Sequence, residues 1–216
     1  MKRINFYLMA VAITITAFVM MGCGKDDKKT PDPGQLFYEA DDAPPYAASD
    51  TVWVFGEQEW SDAIQIPECN KTSFLDSDVT PSCRSYIHEG TSYYYYNWPY
   101  ASVNAATLCP SPWRLPSQED VDTPMPNKNY GTIAASWGYG GWVHSITNEV
   151  NDVAYDINYW TSTKGAYVNH AAGGGNWLAW SINLTRDRAN RNPDFWLKAD
   201  ESHGMWGYQV RCVRDR

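Results

Sequence analysis

Four histidines, His88, His144, His170 and His203, are scattered singly through the chain, and no Cys-x-x-Cys pair supplies thiolates beside them. No metal centre is expected. Asp41-Asp42, Asp76 and Asp78 are candidate paired carboxylates, but their spacing does not approach a calcium-binding loop, so they read as solvated acids. Gly173-Gly174-Gly175 lacks a following Lys-Ser/Thr and any G-x-G-x-x-G frame; it reads as a hairpin tip, not a phosphate cradle. His170 and His203 have no identifiable serine or cysteine nucleophile, so neither a catalytic residue nor a cofactor is expected. The remaining chemistry is that of recognition. His170, Asn176, Trp177, Asn190, Asn192, Trp196, His203 and Trp206 lie in or beside two long loops, Lys164 to Asn176 and Arg186 to Trp206. Rigid aromatics give contact area at little entropic cost, and asparagine donates and accepts, a combination suited to stacking on sugar rings or gripping a protein.

Those loops need a sheet to hold them. Thr51 to Phe55 is the first β-rich run, and Thr91 to Tyr96 reads as a strand with tyrosines on both faces. Tyr159 to Thr163, Leu178 to Thr185 and Gly207 to Val213 are the clearest later strands. Trp180, Ile182 and Leu184 alternate onto one face, as do Val210 and Cys212. Asn97 to Leu108 predicts a helix capped by Asn97, with Pro99 in its first turn and Trp98, Ala101, Ala105 and Leu108 as its buried stripe. Ser117-Gln118-Glu119-Asp120 offers a second cap with an acidic residue at the third helical position, and Pro124 and Pro126 limit that helix to about two turns. Trp53, Trp113, Trp160 and Trp180 are expected in the core.

The first 22 residues read as export machinery: Lys2 and Arg3, then an apolar stretch from Phe6 to Met20, then Gly22 before Cys23. Residues 23–49, charged and proline-punctuated at first and loop-like to the end, read as a tether, and residues 50–216 as the domain. Losing Lys2 and Arg3 leaves 15 basic against 25 acidic side chains, a net charge of −10. That balance argues against nucleic acid as a partner, since phosphate neutralisation needs a basic face. The segment resembles the bacterial lipoprotein signal, in which the cysteine is cleaved at its amino side and lipidated; an ordinary secretory signal is the alternative. The resemblance implies that Cys23 is the lipidation site and the only attachment to a membrane. Lys25-Asp26-Asp27 is similar to the short acidic signal that sends lipoproteins of Bacteroidetes-type bacteria to the outer face of the outer membrane, the expected location.

With Cys23 taken by lipid, Cys69, Cys83, Cys109 and Cys212 remain, an even set in an exported protein that favours two disulfides over zinc. Of three possible pairings, the local Cys69 with Cys83 and the long-range Cys109 with Cys212 are preferred. The run Leu108-Cys109-Pro110-Ser111-Pro112-Trp113-Arg114-Leu115-Pro116-Ser117 is followed by Trp137-Gly138-Tyr139-Gly140-Gly141, Tyr159-Trp160-Thr161-Ser162-Thr163 and Val210-Arg211-Cys212-Val213-Arg214-Asp215. This set resembles the Fibrobacter succinogenes major paralogous domain family, related to the C-type lectin-like and formylglycine-generating-enzyme folds. The resemblance implies an α+β domain with two short helices, a twisted antiparallel sheet, long loops, termini close together and a Cys109–Cys212 bond. The calcium ligand sets of sugar-binding lectins and the C-terminal cysteine pair of the formylglycine enzymes are both missing. The function expected is therefore a non-catalytic surface lipoprotein that binds a glycan or a surface protein through its aromatic and asparagine-rich loops. Two alternatives stand beside it: a structural adhesin or filament-tip subunit, and a ligand receptor with diversified loops.

Overall fold

Residues 37–69, 81–122, 137–170, 174–185 and 198–216 are described in the structure, a computed structural model. The chain builds β1 (Phe37–Glu39), β2 (Thr51–Phe55), β3 (Gln58–Trp60), β4 (Cys83–His88) and β5 (Thr91–Tyr96), then three short helices, α1 (Trp98–Val103), α2 (Ala105–Leu108) and α3 (Gln118–Asp122). After them come β6 (Trp142–Val143), β7 (Val150–Asn151), β8 (Asp156–His170), β9 (Gly174–Thr185), β10 (Lys198–His203) and β11 (Val213–Asp215). The architecture is α+β, with all strand pairs between named elements antiparallel: a sheet ordered β1-β2-β3-β11, a second ordered β10-β9-β8, and the hairpins β4-β5 and β6-β7.

Local sequence explains the short elements. Glu89 and Gly90, both at positive φ (48° and 81°), make the two-residue turn that the right-handed twist of β4 and β5 favours. The Asn97 side chain accepts the Tyr100 N–H at 3.0 Å, and Ala101 and Leu108 are buried as the helical stripe requires. The predicted single helix is two, because the chain leaves helical geometry at Asn104. At Ser117 the capping box is complete: the Ser117 N–H donates to the Asp120 carboxylate at 2.6 Å, while the Asp120 N–H donates to the Ser117 hydroxyl at 3.3 Å.

Three segments read as loop or tether pair as strands in the structure. Lys164 to His170 and Gly174 to Asn176, read as loop, continue the β8–β9 hairpin, with His170 opposite Gly174 and Val168 opposite Asn176. Within the second expected loop, Lys198 to His203 is a strand laid along β9, Lys198 opposite Asn183 and His203 opposite Leu178. The sheet also starts earlier than residue 50, because Phe37 to Glu39 pairs with β2 inside the stretch read as tether. In all three cases pairing to an existing strand supplies the backbone partners that composition did not announce.

Cross-strand neighbours Trp53, Trp60 and Val213 lie on one face of the first sheet and pack with Phe55, Trp137, Ile157, Tyr159 and Ile182. A separate cluster gathers Val52, Ile64, Tyr96, Leu108, Trp113, Trp160 and Val210. Trp180, expected in the core, is half-buried.

The segment from Gly207 to Asp215 connects these layers. Tyr208 pairs with Tyr96, Gly207 with Val143 and Val213 with Arg114, and Gln209 lies parallel to Tyr159. The Ile64 N–H donates to the Val210 carbonyl and the Ser61 N–H to the Cys212 carbonyl, each at 2.9 Å. Arg211 is fully buried, donating to the Ser61 carbonyl (2.6 Å), the Trp137 carbonyl and Asp62 (both 3.1 Å), with Cζ 4.5 Å from the centre of the Trp137 ring. Arg214 lies over Trp113 at 4.3 Å and is paired with Glu59 and Asp42, both at 2.6 Å. Arg114 clamps Asp120 through two nitrogens. Desolvation pushes the Asp120 carboxyl up, but the hydrogen bonds from Arg114 and Ser117 outweigh it and hold its pKa below the ordinary value. Its contribution to stability is therefore present above the unfolded carboxylate range and lost as pH falls through the depressed value.

Both preferred disulfides form, Cys69–Cys83 across 14 residues and Cys109–Cys212 across 103. Loop-closure entropy assigns about 3 kcal/mol to a loop near the first length and about 4.7 kcal/mol to one near the second. Thermal unfolding of the two double Cys→Ala variants should show the larger loss of Tm for Cys109/Cys212; equal losses would mean that chain entropy does not govern these bonds.

Candidate functional site

Trp206 closes the turn after His203, its backbone N–H donating to the His203 carbonyl at 2.9 Å, and the bridge between Val143 and Gly207 brings Trp142 beside it. The result is a row of aromatic rings that leaves the core and reaches solvent. Trp160 and Tyr208, both buried, are 4.4 Å apart between ring centres; Tyr208 to Trp206 is 6.3 Å and Trp206 to Trp142 is 4.8 Å at a tilt of 32°. Trp142 and Trp206 are half-buried, each packed on the main cluster by one side. Two imidazoles flank this ledge, His203 at 5.1 Å from Trp206 and His144 at 5.9 Å from Trp142.

The backbone beneath Trp142 is held in costly conformations. Gly141 has φ 65°, and a Cβ there would overlap the Asn151 carbonyl oxygen. Asn148 (φ 57°), Asp152 (φ 55°) and Ala154 (φ 70°) follow, non-glycine residues in the left-handed region, where each costs on the order of 1–3 kcal/mol. Hydrogen bonds keep them there: Asn148 N–H to the His144 carbonyl (2.9 Å), Ala154 N–H to the Tyr139 carbonyl (2.8 Å) and Asp156 N–H to the Asp152 carbonyl (2.9 Å). The Trp142 indole N–H donates to the Asp152 carboxylate at 3.1 Å, which fixes the ring. His144 Nδ1 accepts from the backbone N–H of Ile146 and Thr147, both at 3.3 Å, an arrangement that assigns the proton of the neutral ring to Nε2.

Of the eight residues expected to bind ligand, the structure brings together His203 and Trp206. His170, Asn176 and Trp177 stand on β8 and β9 rather than in a loop, Trp177 opposite Tyr167. Asn190, Asn192 and Trp196 lie outside the described residues. Trp142 and His144 were not anticipated; the available signal was a tryptophan directly after Gly140-Gly141, since such a pair marks a backbone that something approaches closely.

Among the described residues no group of three or more His, Cys, Asp or Glu could hold a metal ion, and no helix is long and apolar enough to cross a membrane. No protein-family model, curated protein or solved structure matches the chain.

If the loop under Trp142 is strained as its dihedrals indicate, Ala154→Gly should raise the unfolding free energy by up to about 1 kcal/mol, the relief exceeding the added unfolded-state entropy. Gly141→Ala should lower it by more than that. Denaturant titration measures both, and a stabilising Gly141→Ala would contradict the account.

Proposed function

We propose that this chain is a non-catalytic binding protein, carried on a membrane surface by lipid on Cys23, whose domain is of the C-type lectin-like kind and holds a glycan or protein ligand against its aromatic ledge. The observation that carries this reading is the Trp142–Trp206 pair with His203: half-buried rings continuous with the core. Rigid, partly exposed aromatics of this sort concentrate binding energy, because little entropy is lost on contact. The lectin-like assignment draws support from the pairing of β11 into the same sheet as β1 and β2, and from the Cys109–Cys212 bond between the end of α2 and the segment before β11. Membrane attachment rests on Gly22-Cys23 behind the apolar leader.

Two measurements test this. Cys23→Ser should move the exported protein from the membrane to the soluble fraction of fractionated cells; unchanged membrane association would remove the lipid anchor. On a glycan array, with surface crosslinking on cells as the protein-ligand arm, Trp206→Ala should weaken capture about 30-fold, as loss of a contact of ~2 kcal/mol implies. Capture indifferent to Trp206 would remove the ledge as the site.

A further inference from the structure

Resting on that reading of the ledge, we propose that Trp142 is its main stacking platform and that the ligand is a neutral saccharide, one sugar-ring face lying on Trp142, itself stacked on Trp206, with the sugar hydroxyls meeting His144 and His203.

Trp142 differs from the indoles that fasten one segment to another. Trp98, Trp113 and Trp160 donate their N–H to backbone carbonyls, of Thr161 (3.0 Å), Asp42 (2.8 Å) and Tyr96 (2.6 Å), and so tie distant segments together. The Trp142 N–H goes instead to a side chain ten residues along its own loop, Asp152, itself at positive φ. That bond joins no distant parts of the fold; it sets the orientation of one half-exposed ring. Gly141, with no room for a Cβ, and the left-handed Asn148, Asp152 and Ala154 serve the same placement. A ring held only to fill space needs packing alone. Strain retained around a ring that reaches solvent is what a pre-organised contact surface requires.

The ligand class follows from what the ledge presents. With the indole N–H occupied by Asp152, Trp142 offers its apolar face and edge, which suits C–H groups rather than a hydrogen-bonding partner. His144, whose Nδ1 is taken by two backbone N–H groups, presents Nε2–H as a donor. His203 stands at the other end of the ledge beside Trp206. A ligand with one flat apolar face and a rim of groups that both donate and accept matches this arrangement, and a sugar ring has that form. The acidic excess of the chain, 15 basic against 25 acidic side chains once the leader is removed, disfavours a polyanionic ligand. Asp152 is on this account a positioning residue, acting through Trp142.

The test uses the lipid-anchored protein in detergent micelles, titrated with laminarin, mannan, xylan and cello-oligosaccharides as neutral probes and with polygalacturonate as the anionic one. Binding is followed by the indole N–H resonance of Trp142 and by calorimetry. At least one neutral probe should shift the Trp142 resonance and polygalacturonate should not. Trp142→Ala should weaken binding at least tenfold, Trp142→Phe should restore part of it, and Asp152→Ala should weaken it while Asp152→Asn, still able to accept from the indole, should not. Should Trp142→Ala fail to fold, the resonance shift in the unsubstituted protein decides alone. Binding lost with Trp206→Ala but untouched by Trp142→Ala, with no shift at Trp142, would overturn the platform and leave the ledge as a site. Binding to polygalacturonate only, or to none of the probes while crosslinking captures a protein at the ledge, would overturn the saccharide and leave the ledge intact.

Discussion

A fully buried guanidinium organises this domain. Arg211 has no exposure, and although its Nε–H is unpaired among the described residues, a charge in such surroundings is tolerable only in an arrangement that pairs and hydrogen-bonds it. Two main-chain carbonyls, one carboxylate and the faces of Trp137 and Tyr159, at 4.5 and 5.1 Å, form that arrangement. These groups come from the strand end at Ser61-Asp62, from residue 137 and from β8, regions far apart in the sequence. Burying one cation therefore fixes three segments at once. The cation is flanked by the residues that bridge to β5, β6, β8 and Arg114, and by Cys212, so the last ten residues join sheets and hairpins that the described residues do not otherwise pair strand to strand. The long-range nature of this closure makes the fold dependent on contacts that span most of the chain.

The ledge inherits its rigidity from the same segment. Trp206 immediately precedes Gly207, whose N–H and carbonyl both pair with Val143, and His203 ends a strand whose register against β9 is continuous over six residues. The Trp98 N–H reaches the Gly204 carbonyl at 2.8 Å, so the start of α1 holds the intervening turn. Four elements thus converge on a short stretch that would otherwise be loop. A binding surface placed there keeps its shape because moving Trp206 means disturbing the seam.

Features determined by neighbours in sequence were legible in it: the Asn97 cap, the Ser117–Asp120 box, the run at 51–55, the buried Ala101 and Leu108. The disulfides were legible because four cysteines leave few choices. The tryptophans and arginines of the runs at 113–114, 160 and 211–214 have structural roles. Arg114 clamps Asp120, the Thr161 hydroxyl donates to the Trp180 carbonyl at 2.7 Å, and Thr163 accepts the Gln118 N–H at 3.0 Å. What stayed hidden was set at a distance. Lys198 to His203 (KADESH) carries three charges and an alanine, with no strand signature; its conformation comes from the free edge of β9. Arg211 gave no hint of burial, because its cage is assembled from residues 61–62, 137 and 159. Trp142 sits in glycine-rich text without a period, and only the bridge to Gly207 carries it to Trp206.

The density of tryptophan and tyrosine explains how so irregular a chain stays folded. A large aromatic buries much apolar area, but a buried indole N–H or phenol also needs an acceptor. The indole N–H groups of Trp53, Trp60 and Trp137 find none among the described residues, but other rings take carbonyls outside the named strands: Trp113 takes Asp42 in the stretch between β1 and β2, the Tyr96 hydroxyl takes Ile64, the Tyr95 hydroxyl takes Gly140 and the Tyr159 hydroxyl takes Trp137. Each ring does at once the work of a core residue and of a strand neighbour, so loops can be fastened to the core without regular secondary structure. Burial raises the pKa of the Tyr95, Tyr96 and Tyr159 hydroxyls, keeping them protonated and able to donate. The same device at the surface, an indole held through its N–H, orients the half-buried Trp142 ring, which under the proposed function serves recognition instead of stapling. The strained turn from Asn148 to Ala154 supplies the acceptor for Trp142, and the bridge from Val143 to Gly207 supplies its place at the end of the aromatic row.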